Sequence, residues 1–239
     1  MAKTALITGG AIRVGRALAE ACANHHYRLV IHYHHSADEV QRFSQELTEQ
    51  GIEHCLLPCD LSQPRVVQQM FERIPAAFKP IDLLINSAAR FPEQDQLQQF
   101  DQVWSSLMNI NAYAPLSLIQ QFAAQTNHTC EGLVVNIIDA RLSRAQSEHF
   151  TYRLSKAVLK QATLDLAVSL APKIRVNAIA LGAILPPSEK GNDYLERLKQ
   201  SIPLKQTGKL SQVQLALSYL IEQSFVTGDV LTLDGGEFL

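Results

Sequence analysis

What this chain lacks narrows it first. Nowhere do its 239 residues hold the roughly 20 consecutive apolar side chains that cross a bilayer, so no membrane span is expected. Neither sign of charge dominates: 21 Lys and Arg stand against 23 Asp and Glu, without a long run of either. Nucleic acid and anionic membrane are thereby disfavoured as main partners. Cysteine is scarce. Cys55 and Cys59 flank a Leu-Leu-Pro run, a spacing unlike a zinc knuckle, and with Cys22 and Cys130 they read as free thiols in a reducing compartment. The opening "MAKTALITGG" runs almost at once into a strand. It offers neither the apolar core nor the cleavage site of a leader, so a cytoplasmic location is expected. Repeats, low-complexity tracts and linkers are missing too. What remains, with 46% hydrophobic residues, is enough chain for one large α/β domain spanning residues 1–239.

Short apolar runs alternate with longer amphipathic ones. Strands are predicted over 4–8, 28–33, 54–59, 81–86, 133–138, 174–180 and 230–234. Helices are predicted over about 13–24, from Ser36, from Leu61-Ser62, over about 97–125 with a break near Pro115, and over about 150–170. Ser36 and Glu39 have the spacing of a capping box. Strands apolar on both faces and separated by helices imply a Rossmann-type, doubly wound parallel sheet of about seven strands with helices on both faces. Only 182–193, "GAILPPSEKGND", is clearly loop-like, and it is a candidate lid.

"TGGAIRVG", residues 8–15, joins the first strand to the first helix. Gly9 and Gly10 permit backbone angles that other residues resist, and Gly15 lets the helix approach the sheet. Free N–H groups at that helix start favour a phosphate, so a dinucleotide is expected there. At the end of the second strand an acid would accept from the ribose hydroxyls of NAD. This chain has "HYHHSAD" instead. His34, His35 and Ser36 offer donors suited to a 2′-phosphate, and Arg13 adds a cation within the turn, so NADP(H) is favoured over NAD. Two other readings of this stretch stay open. A metal site from His32, His34 and His35 lacks an acid or Cys nearby in sequence, and strand alternation splits the three imidazoles between faces. A solvated polar strand end is the plainer alternative.

These residues resemble the short-chain dehydrogenase/reductases, and the resemblance runs from end to end. "TGGAIRVG" is similar to that family's TGxxxGxG turn. "CDL" (59–61) resembles its adenine-contacting segment, "NSAA" (86–89) its NNAG, Asn111 the Asn that interrupts its central helix, and "YRLSK" (152–156) its YxxxK motif. The resemblance implies cofactor contacts from Gly9, Arg13, Val14, His34, His35, Ser36, Asp60, Leu61, Asn86, Ala88, Tyr152, Lys156 and Gly182. Within the family the chain looks most like the pteridine reductases and the bacterial dihydromonapterin/dihydrofolate reductases. Arg13 takes the second glycine position of the turn, "HYHHSA" resembles HYHRSA, Asp139 stands where most members carry Ser, and Phe91 matches an aromatic that stacks on the pterin. Other departures carry their own expectations. His35 in place of Arg implies a weaker grip on a 2′-phosphate. Leu181, where Pro is usual, implies a looser substrate loop, and Arg90 adds a cation that could meet a folate tail.

Tyr152 and Lys156 share a helix face at i and i+4. A phenol titrates near pH 10, and a nearby ammonium would lower that value, so Lys156 is expected to activate Tyr152 and, by the resemblance, to hold the nicotinamide ribose. Asn111 would hold a water linking Lys156 to solvent. An ionised Asp139 only accepts hydrogen bonds and would repel the oxyanion formed when hydride reaches a ketone. It suits a ring that presents N–H groups or takes a proton on nitrogen, as a reduced pterin does. Phe91 and the nicotinamide would sandwich that ring, and Arg13 would touch both cofactor and substrate. Asp139, Tyr152, Lys156 and Asn111 are therefore the expected catalytic set, Arg13, Phe91, Asp139 and Tyr152 the substrate contacts, and NADPH the cofactor. The expected function is reduction of a dihydropterin or dihydrofolate by a homotetramer. A carbonyl or 3-oxoacyl-thioester reductase and an idle NADP(H)-binding sensor are the rivals.

Overall fold

The computed structural model describes residues 2–125, 132–145, 147–186 and 193–239; Cys130 and part of the candidate lid lie outside them. Seven strands form one sheet: β1 (Thr4–Thr8), β2 (Arg28–Tyr33), β3 (His54–Pro58), β4 (Leu83–Asn86), β5 (Gly132–Asp139), β6 (Ile174–Leu181) and β7 (Val230–Leu233). They lie in the order β3-β2-β1-β4-β5-β6-β7, every neighbouring pair parallel. The order reverses between β1 and β4, which opens a crevice beyond their carboxyl ends.

Strand periodicity explains why two helical layers are needed. Ala5 and Ile7, Leu29 and Ile31, Leu83 and Ile85, and Leu133 and Val135 point to one core. The residues between them, Leu6, Val30, Leu84 and Val134, point to the other. Helices α1 (Arg13–Asn24), α2 (Ala37–Glu49) and α8 (Leu210–Glu222) cover the first face. Helices α3 (Pro64–Gln68) and α5 (Ala114–Ala123) cover the second, where α6 (Phe150–Ser169) also packs. α4 (Phe100–Met108) and α7 (Asp193–Lys199) complete the set.

Two helix starts differ from the sequence reading. The Ser36–Glu39 capping box does not form: Ser36 has ψ 55°, short of the extended geometry that aims a side chain at N3, and makes no capping bond. The helix after β3 begins at Pro64 rather than at Leu61-Ser62, because Asp60 Oδ1 accepts the Ser62 N–H at 2.9 Å and turns the chain first. The long central helix does break near Pro115 and around Asn111, over Asn109–Tyr113, a wide π-type turn, with Pro115 itself in the first turn of α5. A proline nitrogen has no hydrogen for the carbonyl four residues back, so the ladder widens in the preceding turn.

A polar chain crosses the core beside the cleft. Asn86 Nδ2 donates to Asn136 Oδ1 at 2.8 Å, Asn136 Nδ2 to Thr163 Oγ1 at 2.9 Å, and Thr163 Oγ1 to the Leu159 carbonyl at 2.8 Å. All three side chains are buried. Asn136→Ala strands the Asn86 amide and should cost about 2 kcal/mol in urea unfolding. A loss below about 0.5 kcal/mol would mean the chain carries no stability.

Candidate active site

The dinucleotide turn is built on left-handed backbone. Gly9 has φ +64° and Arg13 φ +52°. A Cβ on Gly15 would lie 1.9 Å from the Gly9 carbonyl oxygen, so only glycine lets α1 start this close to β1. Thr8 Oγ1 accepts from the Ser87 and Ala88 N–H groups, each at 3.0 Å, and so ties the turn to the segment after β4.

His32 resolves the histidine-rich stretch. Its ring is buried, Nδ1 accepts the Gly9 N–H at 3.0 Å, and Nε2 faces the Cys59 carbonyl at 2.9 Å. Those partners require the neutral tautomer with the proton on Nε2. Its own carbonyl takes the Gly10 N–H at 3.1 Å. His32 therefore braces the turn from behind, while His34 and His35 are exposed with ring centroids 3.5 Å apart. Among the described residues no three His, Cys, Asp or Glu gather as metal ligands. Burial first, then the nearby His34 and Arg73, pull the His32 pKa from 6.5 to about 4 against the Cys59 bond. Below pH 6.5 the unfolded chain binds a proton that the folded one refuses. Stability contributed by neutral His32 is thus complete above pH 6.5 and falls, by about 3 kcal/mol, as the pH drops to 4. Urea unfolding of the parent and His32→Asn at pH 7.5 and 4.5 checks this: a slope equally steep in both proteins contradicts it.

Beyond the carboxyl ends of β1, β4, β5 and β6 lies a cleft of about 1070 Å³. It gathers Arg13, Val14, Phe91, Asp139, Tyr152, Lys156 and Gly182 from the sequence reading. Gly9 faces Ala88 beside it, where a Cβ on Gly9 would come within 3.2 Å of the Ala88 Cα. His34, His35, Ser36 and Asp60 lie farther out, past β2 and β3, where His34 Nδ1 is 3.8 Å from Asp60 Oδ1. The Leu61 side chain is in the core, which leaves only its main chain for a ligand. Asn111 is fully buried one layer behind. It clamps residue 90, accepting the Arg90 N–H at 2.8 Å and donating to its carbonyl at 3.0 Å, and it also donates to Ser155 Oγ at 3.1 Å. A second cavity, about 550 Å³ between α8 and β7, contains none of the predicted residues.

Tyr152 sits near the start of α6, and the signal for what holds it there is absent from local sequence. Asp95, buried and more than fifty residues away, accepts the Thr151 and Tyr152 N–H groups at 2.9 and 2.7 Å. It does the work of an N-cap that His149, in a left-handed conformation at φ 53°, does not. The Tyr152 hydroxyl is within hydrogen-bond reach of the Asp139 carboxylate. Phe91 meets Tyr152 edge-on, ring centroids 4.8 Å apart. Arg13 reaches across to the Pro186 carbonyl at 2.5 Å and so joins the cofactor turn to the loop after β6.

The electrostatics correct one expectation. Lys156 Nζ donates to the Ile137 carbonyl at 2.8 Å, and burial lowers its pKa to about 8 against the opposing pull of Asp139. The Tyr152 hydroxyl is pushed well above its ordinary value by burial and by Asp139. The cation that opposes this is not Lys156 but Arg141, which the sequence reading passed over. Arg90 lines the same cleft, exposed, and donates to Ser106 Oγ at 2.5 Å.

The residues fit a dinucleotide. The glycine turn would be filled by any Cβ at 15, Asn86 Oδ1 is buried with no partner among the described residues, and the cleft opens at the crevice of the sheet. Fold and cleft together define a dinucleotide-dependent oxidoreductase. A family model described as enoyl-(acyl carrier protein) reductase matches residues 10–237, and the chain belongs to the short-chain dehydrogenase/reductase family. The structure of FolM alternative dihydrofolate reductase 1 from Brucella suis, in complex with NADP, is similar over 99% of this chain and 95% of that one, at 34% identity and TM-score 0.90. Its counterpart from Brucella canis, complexed with NADP, matches over 99% and 94% at 34% identity and TM-score 0.88. By sequence, the granaticin polyketide synthase putative ketoacyl reductase 2 of Streptomyces violaceoruber is 26% identical over 100% of this chain and 97% of its own length.

Proposed function

We propose that this enzyme reduces a pteridine, a 7,8-dihydropterin or dihydrofolate, to the tetrahydro form. The cofactor is NADP(H), in keeping with the bound NADP of the similar structures. When bound it supplies a hydride for the ring carbon of a C=N bond. The chain's own residues then have a proton to manage at the ring nitrogen. The observation that carries the proposal is the Asp139 carboxylate beside the Tyr152 hydroxyl in one cleft with Phe91. A carboxylate accepts from ring N–H groups and from the phenol, orienting both. A ketone offers it no hydrogen, and the oxyanion formed on reduction would meet a negative charge. Phe91 supplies an apolar face for a flat heterocycle, a contact worth on the order of 1 kcal/mol beyond burial. Tyr152, buried and held protonated by its surroundings, is the acid that gives nitrogen its proton.

A second reading, 3-oxoacyl-thioester reduction, is favoured by curated relatives such as the granaticin ketoacyl reductase and by the 3-oxoacyl-[acyl-carrier-protein] reductase FabG of Staphylococcus epidermidis, 23% identical. Loss of NADPH absorbance with dihydrobiopterin, dihydrofolate, acetoacetyl thioester and a simple diketone separates them. Oxidation with the pteridines supports the proposal, oxidation with the thioester alone supports the second reading, and none with any compound leaves a cofactor-binding sensor. The same proposal carries a homotetramer, for which light scattering should give four times the mass of one chain.

A further inference from the structure

We propose that Arg141 is the counter-charge of the Asp139–Tyr152 pair, a positioning residue through which proton transfer to the substrate nitrogen is made possible. The inference rests on Tyr152 being the proton donor of the proposed reaction. Its geometry is independent of that.

Arg141 stands in the short turn Ala140–Ser143 that ends β5. Its backbone N–H donates to Asp139 Oδ1 at 2.8 Å, so the carboxylate is anchored to the main chain of the residue that carries the cation. The side chain lines the cleft, and its guanidinium carbon lies 5.8 Å from the centroid of the Phe91 ring, the same ring that meets Tyr152 edge-on. The other cations along the cleft hold neutral partners: Arg13 the Pro186 carbonyl, Arg90 the Ser106 hydroxyl, Lys156 the Ile137 carbonyl. Arg141 lies within electrostatic reach of the Asp139 carboxylate and of the Tyr194 and Tyr152 hydroxyls, and it hydrogen-bonds Tyr194. Glu237, from the C-terminal turn, is also within its electrostatic reach.

Charge conservation supplies the reason. As hydride reaches the ring carbon, the C=N π bond breaks and its electron pair moves to nitrogen. The Tyr152 O–H bond then breaks, N–H forms, and a phenolate remains beside the Asp139 carboxylate until solvent returns a proton. Two adjacent anions in a buried site need two cations. Lys156, within electrostatic reach of Asp139, is one, and Arg141, at the cleft wall, is the other. A serine at 139 would leave a single anion and need a single cation. Asp139 and Arg141 therefore form one unit in which each residue calls for the other.

A double-mutant cycle tests this on the full chain with NADPH and the pteridine that the parent turns over. Arg141→Met is expected to lower kcat roughly 10- to 100-fold, raise the solvent deuterium isotope effect on kcat, and leave the NADPH dissociation constant from fluorescence within twofold. Arg141→Lys should recover part of the loss. Adding Arg141→Met to Asp139→Ser should cost far less than the product of the single losses. Multiplying losses, an unchanged isotope effect, or a melting temperature that falls in step with kcat would overturn the role. A parent active on the thioester alone overturns the proposed function without touching Arg141, and the cycle is then read on that substrate. A parent inert with every compound overturns both.

Discussion

Replacing Asp139 with alanine is expected to lower kcat for dihydropterin and dihydrofolate by 10²- to 10⁴-fold, the range of a lost acid–base partner. NADPH binding should stay within a few-fold, since the carboxylate bonds the Arg141 amide and acts on the Tyr152 hydroxyl rather than on the glycine turn. Asp139→Ser should be nearly as inactive. A hydroxyl donates to a carbonyl well, but it neither attracts ring N–H groups with a full charge nor orients the phenol as an anion does. It also leaves Arg141 facing Tyr152 without its partner. Steady-state kinetics at saturating NADPH measure both variants. Turnover within a few-fold of the parent would remove Asp139 from the chemistry and return the site to an ordinary carbonyl reductase.

The second large effect is structural in origin and kinetic in expression. Gly15→Val would push a Cβ to 1.9 Å from the Gly9 carbonyl oxygen and 2.7 Å from its carbon, both backbone atoms with no flexible end to give way. The start of α1 must move, and with it the N–H groups that meet the cofactor phosphate. NADPH affinity should fall by more than 100-fold, a loss near 3 kcal/mol. Gly51→Ala is the control. It too has a positive φ, of +70°, but a Cβ there meets nothing within 4 Å, so it should lose a little stability and no affinity. Equal NADPH affinity in Gly15→Val and the parent, by fluorescence titration, would show that the turn does not cradle the cofactor.

Much of this was legible in the residues, and for physical reasons. β1, β2 and α1 match their predicted bounds because each is an uninterrupted period closed by a clear turn signal. Tyr152 and Lys156 came together because helical spacing alone does it. What escaped was either overlooked or long-range. α8 buries Val213, Ala216, Leu217 and Leu220, a helical spacing present in the sequence and passed over. Asp95 under Tyr152 and His32 behind Gly9 bridge elements far apart in the chain, so no local pattern reports them. The partner of Lys156 was misjudged for a related reason. The i, i+4 rule gives a shared face, but not that Ile137 of β5 offers a carbonyl to the same ammonium. Arg141 was missed because an Arg after a strand ordinarily faces solvent. Here the turn that Asp139 caps folds it back over Phe91.

The central claim is that an acid at 139 and a phenol at 152 commit this cleft to a nitrogen heterocycle. The most direct measurement is the fate of deuterium from NADPH labelled at the reactive nicotinamide carbon, read by NMR and mass spectrometry of the product. The account predicts one deuterium on a ring carbon of the tetrahydropteridine, with transfer nearly abolished in Asp139→Ala. Deuterium found only in the alcohol made from a 3-oxoacyl thioester, with the pteridine unlabelled, would contradict it.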